Sequence, residues 1–88
     1  MINSISEREF NNICIDYNQR LNQLDAIYVQ TIDVYLEMNC SVKATASYLH
    51  IHRNTLLYRL DQIKNKVGLD ARIFNDAFIL KIIRVIGS

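Results

Sequence analysis

The sequence predicts an all-α fold, a small bundle of helices. Half of its 88 residues are hydrophobic and none is proline, a composition that favours packed helices with short turns over a disordered chain. Apolar residues also recur at alternating spacings of three and four, which is the period of a helix that buries one face. A chain of this length forms one small core, so we expect the helices to share it.

Residues 1–25 contain the first predicted helix. Ser6 and Glu9 have the spacing of a capping box, and an apolar stripe follows from Phe10 to Leu24. The stripe is close to a heptad repeat, but it lasts about two heptads, fewer than the three or four that indicate a coiled coil. We expect this amphipathic helix to serve as a linker or in dimerisation, next to a domain that comprises residues 26–88.

Two capped helices are predicted next. Asp25 is a suitable N-cap for a helix over residues 26–38, and Ser41 is a suitable N-cap for a short helix over residues 42–49. Two alanines in the short helix would allow another helix to pack closely against it. The short helix is therefore expected to lie against the helix that follows.

His50 and Ile51 form a predicted tight turn before a longer helix over residues 52–67. Gly68 ends this helix, because glycine readily adopts the left-handed conformation that terminates many helices. A short helix, a tight turn with an apolar residue and a second helix are what a helix-turn-helix requires. Generic helical hairpins share this arrangement, so the pattern alone does not assign a function.

The closing helix is predicted over residues 73–86 and is apolar on most sides. Its polar positions are few: Asn75, Asp76, Lys81 and Arg84. A helix that is hydrophobic over more than one stripe needs two surfaces to cover it, and so small a domain offers only one. We therefore predict a partner helix in a homodimer. The alternative is that the whole helix packs against the first two helices.

The charges are unevenly distributed along the chain. Residues 1–40 hold six acids and two bases, a net charge of −4, whereas residues 41–68 hold five bases and only Asp61, a net charge of +4. A concentration of positive charge marks the middle of the chain as a candidate phosphate-binding surface. The alternative is an ordinary solvated helix face.

Several other classes of protein are excluded. No apolar run is long enough to cross a bilayer and the first residues lack the features of a signal peptide, so a cytoplasmic location is expected. Cys14 and Cys40 are far apart, and a zinc site joining them to His50 and His52 would lack the usual ligand spacings. Glycine-rich phosphate loops and nucleophile motifs are missing. We expect no metal, no cofactor and no catalytic residue.

A specific resemblance lies in the middle of the chain. The run H-x-H-R-N-T-L-x-Y-R-L at residues 50–60 resembles the C-terminal domain of bacterial transcription regulators of the PucR/CdaR family, and the similarity extends over roughly residues 26–86. A more distant similarity at residues 51–60 links the same segment to Fis-like helix-turn-helix domains. The resemblance implies a homodimer that binds double-stranded DNA sequence-specifically and reads adjacent major grooves.

The same resemblance implies that the domain lies at the C-terminus of a longer regulator. A small-molecule effector would then act only through a sensory region that is absent from this chain. Purine catabolism and sugar-diacid use are the pathways that the family is named for. The family often has a basic residue where this chain has Leu57, so its DNA sequence preference cannot be transferred to this chain.

The recognition helix over residues 52–67 has one side for the core and another for DNA. At 100° per residue, Asn54 and Tyr58 point away from the apolar side chains Leu56, Leu60, Ile63 and Val67. In helix-turn-helix docking, the N-terminal residues of the second helix meet the base edges. Arg53 is accordingly predicted to read guanine or to hold a phosphate. Asn54 is predicted to read adenine, to bond a phosphate or to favour the first helical turn.

The predicted DNA-binding set includes phosphate-bonding hydroxyls at Thr55 and Tyr58 and positive charges at the groove edge, Arg59 and Lys43. His52 is predicted either to cap the helix or to touch the DNA backbone. The alternative for Tyr58 is that its ring packs against the protein. Asp61 would repel phosphate, so the predicted contact zone covers only two helical turns. The competing function is a helical dimerisation or interaction module that keeps the helix-turn-helix as a scaffold. The charge distribution favours DNA binding.

Overall fold

The computed structural model describes residues 7–87, with side chains at all of these positions except 7, 10, 11 and 87. Five helices follow one another in this part of the chain, and no strand is present among the described residues. The predicted all-α fold is confirmed. The helices are α1 (Glu7–Asn22), α2 (Ala26–Glu37), α3 (Val42–Leu49), α4 (Arg53–Val67) and α5 (Phe74–Gly87).

The helix ends are determined largely by short-range caps. Ser41 precedes α3, and its Oγ accepts a hydrogen bond from the backbone N–H of Ala44 at 3.1 Å. Gly68 ends α4 in the left-handed conformation, with a φ of 92°. Asp25 occupies the predicted N-cap position of α2, although its side chain forms no capping hydrogen bond. The capping box predicted at Ser6 lies outside the described residues.

The central element of the core is α4. α1, α2 and α3 pack against it, while α5 packs against α1 and α2. The buried side chains of α4 are Leu56, Leu60, Ile63 and Val67, and the other helices add Cys14, Leu21, Ile32, Leu80 and Ile83 to the same core. Truncating a buried leucine to alanine typically costs about 2–5 kcal/mol. The position of α4 is therefore strongly determined by its buried side.

The first helix packs into this core. Leu21 has no exposed surface, and Arg20 donates a hydrogen bond from Nη1 to the backbone carbonyl of Val67 at 3.1 Å. That carbonyl lies in the last turn of α4, where intrahelical donors are no longer available. α1 thus supports the C-terminal end of α4. A linker or dimerisation role for residues 1–25 stays a prediction.

The closing helix has one covered side and one uncovered side. Ala77, Leu80 and Ile83 are buried, whereas Phe74 and Phe78 are 82% and 50% exposed. The alternative in which all of α5 packs against the first two helices is therefore wrong, because large aromatic surfaces remain in solvent. This exposed side lies next to α2, where Leu36 and Cys40 line a shallow groove with both phenylalanines.

Candidate nucleic-acid interface

The connection between α3 and α4 is fixed by local hydrogen bonds. His50 adopts the left-handed conformation with a φ of 57°, and the backbone N–H of Ile51 donates to the carbonyl of Ala46 at 3.0 Å. His52 is the N-cap of α4, where its Nδ1 accepts a hydrogen bond from the N–H of Asn54 at 3.0 Å. These bonds satisfy backbone groups that helix ends leave unpaired. The first turn of α4 is therefore held in a defined direction.

The side of α4 opposite the core is exposed along the helix. Its members recur at spacings of four and three and are all exposed: Asn54, Tyr58, Asp61 and Asn65. We call them the outer row of α4. Arg53 and Thr55 flank the first member and are also exposed. Within residues 7–87, the side chains of Arg53 and Asn54 form no hydrogen bond or ion pair, so their polar atoms are available to a ligand.

The remaining predicted residues lie in different settings. Lys43 is exposed in the first turn of α3, and His52 is exposed with one ring nitrogen engaged in the cap. Arg59 is half-buried, and its Nη1 donates to Oγ1 of Thr31 on α2 at 3.3 Å. Thr31 is itself buried and donates its hydroxyl to the carbonyl of Ile27. Arg59 is therefore directed towards α2, while the other residues of the set remain at the surface.

Asp61 has a charged partner. Its Oδ1 accepts a hydrogen bond from Nη2 of Arg72 at 2.6 Å, and Arg72 also donates from Nε to Oδ1 of Asp70 at 3.0 Å. We call these three residues the Asp61–Arg72–Asp70 cluster. The cluster joins the outer row of α4 to the loop between α4 and α5. The carboxylate that underlies the predicted limit of the contact zone thus has a compensating charge beside it.

The charged forms of this cluster stabilise one another. Burial opposes ionisation of Asp70, but hydrogen bonds from the side chain and backbone of Arg72 outweigh it, so the pKa of this carboxyl lies below its ordinary value. Hydrogen bonds to Asp70 and Asp61 raise the pKa of Arg72. The backbone N–H of Asp70 donates in turn to Oδ2 of Asp76, in the first turn of α5. At neutral pH the cluster is charged and links the loop to both helices.

Arg72 is absent from the residues predicted from the sequence. It lies 11 residues after Asp61 and beyond the end of α4 at Gly68, so no helical spacing relates the two side chains. The available signal is a single acid on an otherwise basic helix, followed by a base in the next loop. That signal indicates an ion pair only if the loop folds back onto α4.

Leu57, where the chain departs from the family pattern, is half-buried.

The described residues form no arrangement typical of a metal centre. No group of three or more histidine, cysteine, aspartate or glutamate side chains within residues 7–87 is placed to hold a metal ion. Cys14 is buried in the core, and Cys40 is exposed after α2. None of the helices described has the length and apolar character of a membrane span.

The family model of the PucR C-terminal helix-turn-helix domain matches residues 28–83 of the chain. This range includes α3, the turn and all of α4. The chain belongs to this PucR domain family. The resemblance at residues 50–60 is thereby confirmed, and in this PucR domain the matched motif lies at the capped start of α4.

Relatives of this PucR domain occur in longer regulatory proteins. The purine catabolism regulatory protein of Bacillus subtilis (strain 168) is 34% identical over 61 residues, which are 69% of this chain and 12% of that protein. The carbohydrate diacid regulator of Escherichia coli (strain K12) is 38% identical over 63 residues, which are 69% of this chain and 16% of that protein. The chain therefore spans a small fraction of the length of these relatives.

A solved structure has the same fold. The crystal structure of a regulator of polyketide synthase expression from Bifidobacterium adolescentis matches this PucR domain with a TM-score of 0.82 at 26% identity. The match covers 92% of this chain and 34% of that chain. Because it extends beyond residues 28–83, the common fold is larger than the segment recognised by the family model.

Proposed function

We propose that this PucR domain is the DNA-binding part of a bacterial transcription regulator and places the start of α4 in the major groove. The observation that carries the proposal is the exposed first turn of α4, with Arg53 and Asn54 on a helix whose opposite side is buried. Helix-turn-helix proteins present the same part of the second helix to base edges. Family membership and the names of the two regulatory relatives support this function over a pure interaction module.

The proposed roles follow from the chemistry of each side chain. Arg53 reads guanine through two parallel hydrogen bonds or holds a phosphate, and Asn54 reads adenine or bonds a phosphate. The hydroxyls of Thr55 and Tyr58 bond phosphate oxygens, and Lys43 supplies positive charge from α3.

Two further residues act at the margin of this surface. His52 caps α4 and lies near the DNA backbone, since its ring is exposed at the helix start. Arg59 contributes charge at the groove edge while it remains bonded to Thr31 through Nη1. An arginine has five N–H donors, so this one bond leaves others for a phosphate.

The proposed active form is a homodimer whose interface includes α5. The exposed aromatic side chains Phe74 and Phe78 support this assignment, because a partner helix would remove them from water. A two-fold dimer presents two copies of α4 about 34 Å apart, which is one turn of DNA. Such a dimer would bind palindromic sites.

The regulatory context is also a proposal. The chain covers 12–17% of the first three curated relatives, so we place the binding of a small-molecule effector in a sensory region outside this chain. Purine catabolism and sugar-diacid use are the candidate pathways, in keeping with the names of two relatives. We propose a cytoplasmic location, because the DNA of a bacterium lies in the cytoplasm. The domain itself is assigned no catalytic activity and no cofactor.

Fluorescence anisotropy with labelled duplex DNA tests the proposed function. The duplex is enriched from a random-sequence library on the purified domain, and a scrambled duplex of the same composition is the control. We expect binding that weakens at least about tenfold between about 50 and 200 mM salt, because each neutralised phosphate releases counterions. Failure to bind any duplex at low salt would contradict the proposal and favour the interaction module.

A further inference from the structure

Asp61 is the one acidic residue of α4, and it lies on the outer row with Asn54 and Tyr58. In the proposed complex, the outer row faces DNA, so this carboxylate is carried towards the phosphates. A single charge of either sign, a few ångströms from a phosphate, changes the affinity for DNA by about fivefold even in water. An isolated Asp61 would therefore weaken binding at the helix that reads the groove.

Arg72 supplies the opposite charge at this position. The side chains of Arg72 and Asp61 are 32% and 55% exposed, so their 2.6 Å ion pair lies at the protein surface. Behind the pair, the nearly buried Asp70 accepts hydrogen bonds from both Nε and the backbone N–H of Arg72, each at 3.0 Å. Arg72 is therefore held in place on one side while it pairs with the outer row on the other.

We propose that Arg72 is a positioning residue for DNA binding, which holds and neutralises the Asp61 carboxylate so that the outer row of α4 carries no net negative charge. The inference rests on the proposed function, because it concerns the side of α4 that faces DNA. Arg72 itself does not bind phosphate in this scheme. Two carboxylates already occupy its Nε and Nη2 donors and repel any phosphate that approaches them.

Four proteins test the inference: the wild type, Arg72→Gln, Asp61→Asn and the double variant. Their affinities for the enriched duplex are measured by anisotropy over a series of salt concentrations. We expect Arg72→Gln to bind about fivefold more weakly at low salt, and this difference to narrow at higher salt because ions screen the repulsion between Asp61 and phosphate. Asp61→Asn should bind more tightly by a similar factor. The double variant has the net charge of the wild type and should bind within about twofold of it.

Two results would overturn the inference while leaving the proposed function intact. A double variant as weak as Arg72→Gln would mean that Arg72 contacts DNA or supports α4 directly. Equal affinities of Arg72→Gln and the wild type would mean that the charge of Asp61 does not affect DNA binding. A wild type that binds no duplex would instead overturn the proposed function, and the inference with it.

Folding of each variant is followed by circular dichroism, because Arg72→Gln leaves the nearly buried Asp70 carboxylate without its charged partner. If that variant is unfolded, Asp70→Asn is added to all four proteins and the affinities are compared again. The same ordering is expected in that background, and any other ordering overturns the inference.

Discussion

Arg53 differs from other arginines of this domain in its surroundings. Three others are engaged in ion pairs within the described residues: Arg20 with Asp16, Arg72 with Asp61 and Asp70, and Arg84 with Asp33. Arg53 is exposed in the first turn of α4 and has no such internal partner in this part of the chain. Its planar group of donors therefore remains available for two-point recognition of a base or a phosphate.

Replacing Arg53 tests the placement of the reading surface. We expect Arg53→Ala to lose about 1–3 kcal/mol of discrimination between the enriched and scrambled duplexes, the usual contribution of a two-point arginine contact. Lys64→Ala is the matched control, because it removes a positive charge from an exposed later position of the same helix. It should scarcely change discrimination. Equal losses in the two variants would mean that the reading surface lies elsewhere.

The hydroxyl of Thr45 is a second informative group. Thr45 is fully buried on α3, and its Oγ1 has no hydrogen-bond partner among the described residues. An unpaired buried hydroxyl typically costs about 1–3 kcal/mol. Thr45→Val keeps the shape and should raise the free energy of unfolding by about 1 kcal/mol, measured by urea denaturation. Thr45→Ser, which keeps the hydroxyl and removes the methyl group, should lower it.

Asp70 makes the stability of the domain depend on pH. Its pKa is lowered in the folded state because, although burial opposes ionisation, the hydrogen bonds from Arg72 outweigh it. The ionised carboxylate therefore stabilises the fold above the ordinary pKa of 3.8, and this contribution is lost as the pH falls below 3.8 through the folded-state value. The stability difference between wild type and Asp70→Asn should thus be full near neutral pH and shrink in acid.

Thermal unfolding from about pH 7 down to about pH 2 measures this difference, a range that extends well below the ordinary pKa of an aspartate. Asp25→Asn is the control, since Asp25 is exposed and its side chain forms no capping hydrogen bond. At neutral pH this variant should change the free energy of unfolding far less than Asp70→Asn does, because it breaks no observed side-chain bond. A constant difference for Asp70→Asn would contradict the assigned role of Arg72.

At the level of single elements, the helix-turn-helix is the part that the sequence predicts most readily. Ser41 and Gly68 act through bonds to residues near them in the chain, so their residue types alone indicate where helices begin and end. The bonds from Arg59 to Thr31 and from Arg72 to Asp61 join different elements. Such contacts depend on how helices pack, and a single sequence gives no spacing rule for them.

The turn between α3 and α4 offers a test of one backbone conformation. His50 has a φ of 57°, which a residue with a Cβ adopts at a cost and glycine adopts freely. His50→Gly should raise the free energy of unfolding by about 0.5–1 kcal/mol, as followed by circular dichroism in urea. Ser47→Gly is the control within α3, where glycine should lower stability by a similar amount. Destabilisation by His50→Gly would show that its side chain contributes more than its backbone costs.

At the scale of the whole molecule, the main feature is the apolar side of α5 that faces solvent. Composition alone predicts that this helix has more apolar surface than one small core can cover, and the exposure of Phe74 and Phe78 agrees with that prediction. The sequence does not say which side remains uncovered, because that is decided by how α1 and α2 pack against the helix. The partner on the exposed side stays a proposal.

Light scattering after size-exclusion chromatography tests the proposed homodimer. We expect the wild type to have twice the chain mass of 10.3 kDa. Phe74→Glu should weaken the dimer by about 2 kcal/mol and thereby shift the protein towards the monomer. Ile15→Glu is the control, since Ile15 is 56% exposed on α1. Dissociation by Ile15→Glu alone would assign dimerisation to α1. A monomeric wild type would contradict the proposed interface altogether.

The packing of α1 also determines where this domain can be cut. Sequence similarity to the family begins at residue 28, after α1 has ended. A recombinant fragment trimmed to that boundary would lose the Leu21 side chain from the core and the Arg20 donor from the end of α4. It would retain every residue of the recognition motif while exposing the side of the helix that keeps the motif in place. Fragment boundaries for such domains are therefore better chosen from buried flanking helices than from the extent of sequence similarity.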